Sequence, residues 1–175
     1  EKELALTKEL TLHDMYVEHL KDIFSAETQI TKALPKIIQT VTSPELKKAL
    51  EKHLKETEGQ VDRIEQIFQS LDASPRGKKC VGMEGVLEEG KEAMAEEYAS
   101  PELMDSALIG GCQKVENYEI CGYKDVIHTA TLLGDTKAVD LLTKSLHEEE
   151  AADQKLTELS ENIITPEAVH AGQAM

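Results

Sequence analysis

The sequence predicts an all-α protein of long helices, and three observations carry that prediction. Ala, Leu, Glu, Lys and Gln recur throughout while aromatic residues make up only 3% of the chain and Trp is absent, so strong helix formers dominate. Four stretches place their apolar residues at the three-and-four spacing of one helical face. Two of them open on the same words, Ser43-Pro44-Glu45-Leu46 and Ser100-Pro101-Glu102-Leu103. In each, Ser is an N-cap, Pro occupies the first helical position and Glu sits beside the positive helix end. A chain of 175 residues fits one domain and can bury a sizeable core.

The first segment spans about Leu10 to Gln39 and lines up Tyr16, Leu20, Ile23, Phe24, Ile30, Leu34 and Ile38, with Pro35 expected to kink it near its end. The second runs from Pro44 to Ser70. A third, starting at Ser100, carries Leu108, Cys112, Val115, Tyr123, Val126, Ala130 and Leu133 on one stripe. It ends at Leu-Gly-Asp-Thr, where Gly134 reads as the C-terminal glycine and Asp135 as the next N-cap. The fourth continues to about Asn162, which gives a helical domain over 1–163 and a loose tail over 164–175 whose His170 carries no specific role.

Segments of about 25 to 30 residues would each be about 40 Å long. The first and last connections are a few residues, which forces antiparallel hairpins, whereas the middle one spans residues 71–100 and holds a short amphipathic piece around Val81 to Glu96. Short, long, short is the connectivity of a ferritin-like four-helix bundle: two antiparallel hairpins joined by a long crossover with a short extra helix.

With 34 acidic and 19 basic residues the formal net charge is −15, which repels a nucleic-acid backbone and disfavours direct DNA binding. Cys80, Cys112 and Cys121 form no Cys-x-x-Cys pair; they read as structural thiols in a reducing compartment. No apolar run approaches the roughly 20 residues that span a bilayer, and the first residues show no signal-peptide core. A cytoplasmic protein with no membrane partner is expected.

Charged residues should lie opposite the apolar stripes, yet at 100° per residue several acids lie within them. Glu27 is in line with Tyr16, Leu20, Ile23, Leu34 and Ile38; Glu116 and Glu119 fall in the stripe of Cys112, Tyr123 and Val126; Glu149 and Asp153 share a face with Leu142, Leu146, Leu156 and Ile163. No Lys or Arg is expected on these stripes at the same level, and Glu148 and Glu150 point outward. Unpaired buried carboxylates cost several kcal/mol each, so bound metal is the economical explanation. The spacing repeats between hairpins. Glu27 precedes Ser43 by 16 residues and Glu119 precedes Asp135 by 16; Glu56 follows Ser43 by 13 and Glu149 follows Asp135 by 14. Acids at matching depth from two related hairpins are how a dinuclear site is built in a bundle. On the second helix His53, Glu56 and Gln60 reach that depth, with Glu56 toward the edge of the stripe of Leu50, Thr57, Val61 and Ile64.

The stretches AETQITKALPK, HLKETEGQVDRI, CVGMEGVLEE, QKVENYEICGY and LHEEEAADQKL together resemble the YciE/YciF family of ferritin-like proteins, formerly a domain of unknown function. The resemblance covers nearly the whole chain. It implies a ferritin-like bundle, a link to bacterial stress responses, a dinuclear metal centre and a homodimer. It marks Glu27, His53, Glu56, Glu116, Glu119, Glu149 and Asp153 as metal ligands; on the reading of the residues themselves Gln60 orients a ligand by hydrogen bonding and Tyr123 is a core residue that could stand behind the site. The Glu-x-x-His pair of many di-iron bundles is absent: Gly59 follows Glu56 and Ala152 follows Glu149 at that spacing. So oxygen-rich a donor set suits two iron ions or manganese, with zinc as a substitute. The expected function is peroxide- or O₂-linked redox chemistry or iron handling; the alternative is a non-catalytic stress or interaction protein in which the metal is structural.

Overall fold

A computed structural model describes residues 9–163; the expected tail over 164–175, with His170, lies outside the described residues. The described chain forms five helices, α1 (Leu12–Thr40), α2 (Pro44–Ser70), α3 (Val81–Ala95), α4 (Pro101–Leu132) and α5 (Thr136–Ile163). No described helix is long and apolar enough to cross a membrane.

Local chemistry sets the ends. Helix α1 begins two residues later than expected because Thr11 and Asp14 close a capping box: the Thr11 hydroxyl accepts from the Asp14 amide at 3.1 Å and the Asp14 carboxylate accepts from the Thr11 amide at 2.9 Å. The expected kink at Pro35 does not interrupt the helix, which runs on to Thr40. Leu34 and Ile38, on either side of the proline, are both buried, so the turn that contains it is anchored in the core. Ser43 and Ser100 cap α2 and α4 through the amides of Leu46 and Leu103, each at 3.3 Å. Gly134 takes φ +75° after α4, a conformation open to glycine, and Asp135 then accepts from the Ala138 amide at 3.1 Å to start α5. This turn carries Leu133 off the stripe on which the sequence placed it: it closes α4 and is 38% exposed.

The four long helices form a ring of neighbours in which α1 packs on α2, α2 on α5, α5 on α4 and α4 on α1, while α3 leans on α4 and α1. The core within the ring is divided. One apolar cluster includes Ile30, Leu34, Leu46, Leu50, Leu108, Ile109 and Leu156; the other includes Tyr16, Leu20, Ile64, Phe68, Val126 and Leu142. Between them, in sequence along every long helix, lies a set of buried polar side chains: Glu27, His53, Thr57, Gln60, Glu116, Glu119 and Glu149.

Candidate metal centre

Each long helix sends at least one polar side chain to this layer because the position falls on its apolar stripe, where the flanking hydrophobic residues dictate which way the helix faces. Glu27 of α1, Glu116 and Glu119 of α4 and Glu149 of α5 are all at most 1% exposed, and His53 of α2 is 4% exposed. His53, Glu116, Glu119 and Glu149 can each present one ligand atom such that all four lie within 4.8 Å of one another. His53 Nε2 stands 3.2 Å from Glu116 and 3.9 Å from Glu149.

Two neighbours orient this cluster. Tyr123 donates its hydroxyl to Glu27 Oε1, and Gln60 donates its amide to Glu149 Oε1 and, at 3.3 Å, to Glu148. These contacts leave much unsatisfied. Glu27 Oε2, Glu116 Oε2, both oxygens of Glu119, Glu149 Oε2 and both ring nitrogens of His53 are buried without a hydrogen-bond partner. Burial, followed by the Glu149 charge, pushes the Glu27 carboxyl up to about 8; burial does the same to Glu116, also to about 8, with Glu27, Asp153 and Glu56 adding to it. Burial first, then Glu27, raises Glu119 well above the carboxylate range, and burial with Glu116 does so for Glu149. Four acids that resist ionisation, ringed by orphaned lone pairs, are what a site for cations looks like in the absence of competing protein cations. The donor set, oxygen-dominated with one imidazole, fits iron or manganese and accepts zinc.

The other two expected ligands sit at the rim. Glu56 is half-buried and pairs with Lys52. Asp153 is half-buried too, and its Oδ1 accepts from Gln113 at 3.4 Å and Asn117 at 3.3 Å. Both still face Glu116 closely enough to raise its proton affinity. Sequence reasoning missed Arg63. It is 9% exposed on α2, with Nε donating to Ser145 at 3.0 Å and Nη2 to Glu148. The expectation of a solvated Glu148 is therefore corrected: Glu148 lies half-buried between Gln60 and Arg63. The signal was present, since Arg63 follows Gln60 by one helical turn.

Two cavities reach the layer through His53 and Glu116. One, of about 50 Å³, passes between α2 and α5 beside Glu56, Lys52 and Lys155. The other, of about 740 Å³, lies among α1, α3 and α4.

The family model described as "Domain of unknown function (DUF892)" matches residues 11–169. Protein YciF of Escherichia coli (strain K12) is 41% identical over 159 residues, covering 90% of this chain and 95% of its own. The crystal structure of the E. coli stress protein YciF superposes with a TM-score of 0.84, covering 89% of this chain and 98% of that one. YcfI from Rhodopseudomonas palustris, put forward as a structural protein, is 39% identical with a TM-score of 0.81 over 85% of this chain and 94% of its own. A protein from Xanthomonas campestris pv. campestris shares the fold at 19% identity, with a TM-score of 0.70 over 87% of this chain and 92% of that one. On a match this long and this close, the chain belongs to the DUF892 family, the family of the stress protein YciF.

Proposed function

We propose that this protein is a ferritin-like, stress-linked metalloprotein whose polar layer holds two divalent ions, iron by preference, for redox chemistry with peroxide or O₂ or for iron handling. The observation that carries this reading is the layer itself. Four buried glutamates with orphaned oxygens stand around a buried histidine, and four carboxylate charges balance two divalent cations. Glu27, His53, Glu116, Glu119 and Glu149 would hold the ions, with Glu56 and Asp153 at the rim. Two such ions, if bound by these residues, would supply a means of moving electrons to and from dioxygen or peroxide. The chain's own part is positioning. Tyr123 fixes one oxygen of Glu27 and Gln60 one oxygen of Glu149, so each acid turns its other oxygen inward. The apolar clusters above and below bound the layer along the helices, and access to it runs through the cavities that reach His53 and Glu116.

The description of YcfI as a structural protein favours a second reading, in which metal only ties the acidic core together. Cavities that reach His53 and Glu116 favour the open, reactive site over this one. Metal analysis of aerobically purified protein beside a Glu27→Ala/Glu149→Ala variant, followed by peroxide consumption with the iron-loaded form, separates the two. About two iron or manganese ions per chain, lost in the variant, together with turnover supports the redox reading. Bound metal without turnover supports the structural one, and no metal in either protein overturns both.

A further inference from the structure

The large cavity is a property of the sequence as much as of the fold. On α1 it is walled by Ile30, Leu34 and Ile37, on α3 by Leu87 and Met94, and on α4 by Leu108. Apart from the His53 imidazole at its inner end, no aromatic ring lines it, and its walls are otherwise aliphatic. Three glycines, Gly90 on α3 and Gly110 and Gly111 on α4, face it, and a Cβ built on any of them would meet no atom within 4 Å. A glycine within a helix is less favourable than alanine by about 1 kcal/mol. Of the three, Gly90 and Gly111 are half-buried and Gly110 is exposed, so side chains at Gly90 and Gly111 would take up part of the space, which stands at about 740 Å³, within the range of about 300–1,000 Å³ usual for small-molecule sites. Along α4 the lining runs from Ala107 to Glu116, about 14 Å of helix at 1.5 Å per residue. The inner end is polar and buried, since His53 and Glu116 line it, with His53 Nε2 3.2 Å from Glu116 Oε1 and Glu116 Oε2 without a hydrogen-bond partner.

The outer rim is basic in a chain of net charge −15. Lys32 and Lys36, one turn apart on α1, are exposed there, and neither side chain has an ion-pair or hydrogen-bond partner among the described residues. Lys91 and Lys114 also line the rim but are engaged by Glu88 and Glu89, each at 2.6 Å. From the long aliphatic lining, the glycine-made space and the unpaired lysine pair at its edge, we infer that this cavity binds an unbranched aliphatic amphiphile with one anionic head, a long-chain carboxylate. The tail lies along α4 toward His53 and Glu116, and Lys32 and Lys36 hold the head. Its inner end shares His53 and Glu116 with the proposed metal site, whereas its aliphatic walls and the Lys32 and Lys36 contacts need no ion in the polar layer.

Calorimetric titration of the full-length chain with dodecanoate below its micellar concentration tests the inference, run on protein as purified and again after chelation so that a failure of the metal reading leaves the result interpretable. The expected result is saturable binding near one per chain in both preparations, at least tenfold weaker for dodecanol and about tenfold weaker in Lys32→Glu/Lys36→Glu. Gly111→Leu, which fills the space, is expected to abolish binding while the thermal midpoint holds or rises. Absence of dodecanoate binding by the unmodified chain, or equal binding by a folded Gly111→Leu protein, overturns the site. Equal binding of dodecanol with no effect of the lysine reversal overturns the assignment of an anionic head.

Discussion

Glu119 shows the conflict at the residue scale most clearly. Both of its oxygens are buried without a partner, and burial together with Glu27 raises its proton affinity well above that of an ordinary carboxylate. A group of this kind serves a ligand at the expense of the free fold. Glu119→Gln keeps the shape, stays neutral at every pH and adds an amide that can donate to Glu27. At pH 8 in chelator it should stabilise the protein by about 1 kcal/mol in urea unfolding, while lowering metal content relative to the unmodified chain. Loss of stability without change in bound metal would show Glu119 to be an ordinary core residue. Cys80 illustrates the opposite case. Its thiol accepts from the Met83 amide at 3.4 Å, donates to Asp22 at 3.1 Å and meets the Tyr118 hydroxyl at 3.0 Å, so this cysteine works as the cap of α3. Gly82 beside it leaves room for that tyrosine: a Cβ there would stand 2.7 Å from the Tyr118 ring.

Between elements, the connection of α1 to α2 depends on α4. Asp105, 1% exposed, accepts from the Thr42 amide at 2.9 Å, the Thr42 hydroxyl at 2.8 Å and the Ser43 amide at 2.7 Å. Three donors on one buried carboxylate lock the hairpin turn to the start of α4 and so fix how far each helix reaches toward the polar layer. Asp105→Ala should cost about 3 kcal/mol, because buried donors lose a charged acceptor, read as a lower urea midpoint with an unchanged slope. A shift under 0.5 kcal/mol, by the same measure, would mean that water replaces the carboxylate without penalty. Arg63 plays a comparable part between α2 and α5, where it joins Ser145 and Glu148.

Over the whole molecule the polar layer makes stability depend on pH and on metal together. Glu27 and Glu116 titrate near 8 in the fold, while an unfolded glutamate titrates near 4.5. Between those values the metal-free fold therefore binds more protons than the unfolded chain, and its stability falls as pH rises. Each excess proton contributes about 1.4 kcal/mol per pH unit. The thermal midpoint of chelated protein should drop steadily from pH 5 to pH 8, and saturating manganese should raise it most at the alkaline end, where the ligands are free of protons. A midpoint that rises with pH in chelator would show that the buried acids are ionised and paired in the metal-free fold.

Helical periodicity and cap chemistry in the sequence determined the five helices, most of their ends and the inward placement of Glu27, Glu116, Glu119 and Glu149, because a stripe fixes which way a helix faces whatever packs on it. The Thr11–Asp14 box moves the start of α1 to Leu12, and the helix continues through Pro35 to Thr40. Only the tertiary structure decided the rest. Glu56 and Asp153 lie at the edges of their stripes, where a small rotation of a helix moves a side chain between core and rim, and partners such as Lys52, Gln113 and Asn117 settled that choice. Asp105, Arg63 and Glu148 owe their burial to neighbours far away in the chain, and the cavity beside α4 is bounded by residues of α1, α3 and α4 together. Such features depend on distances between elements, which one-dimensional spacing does not contain.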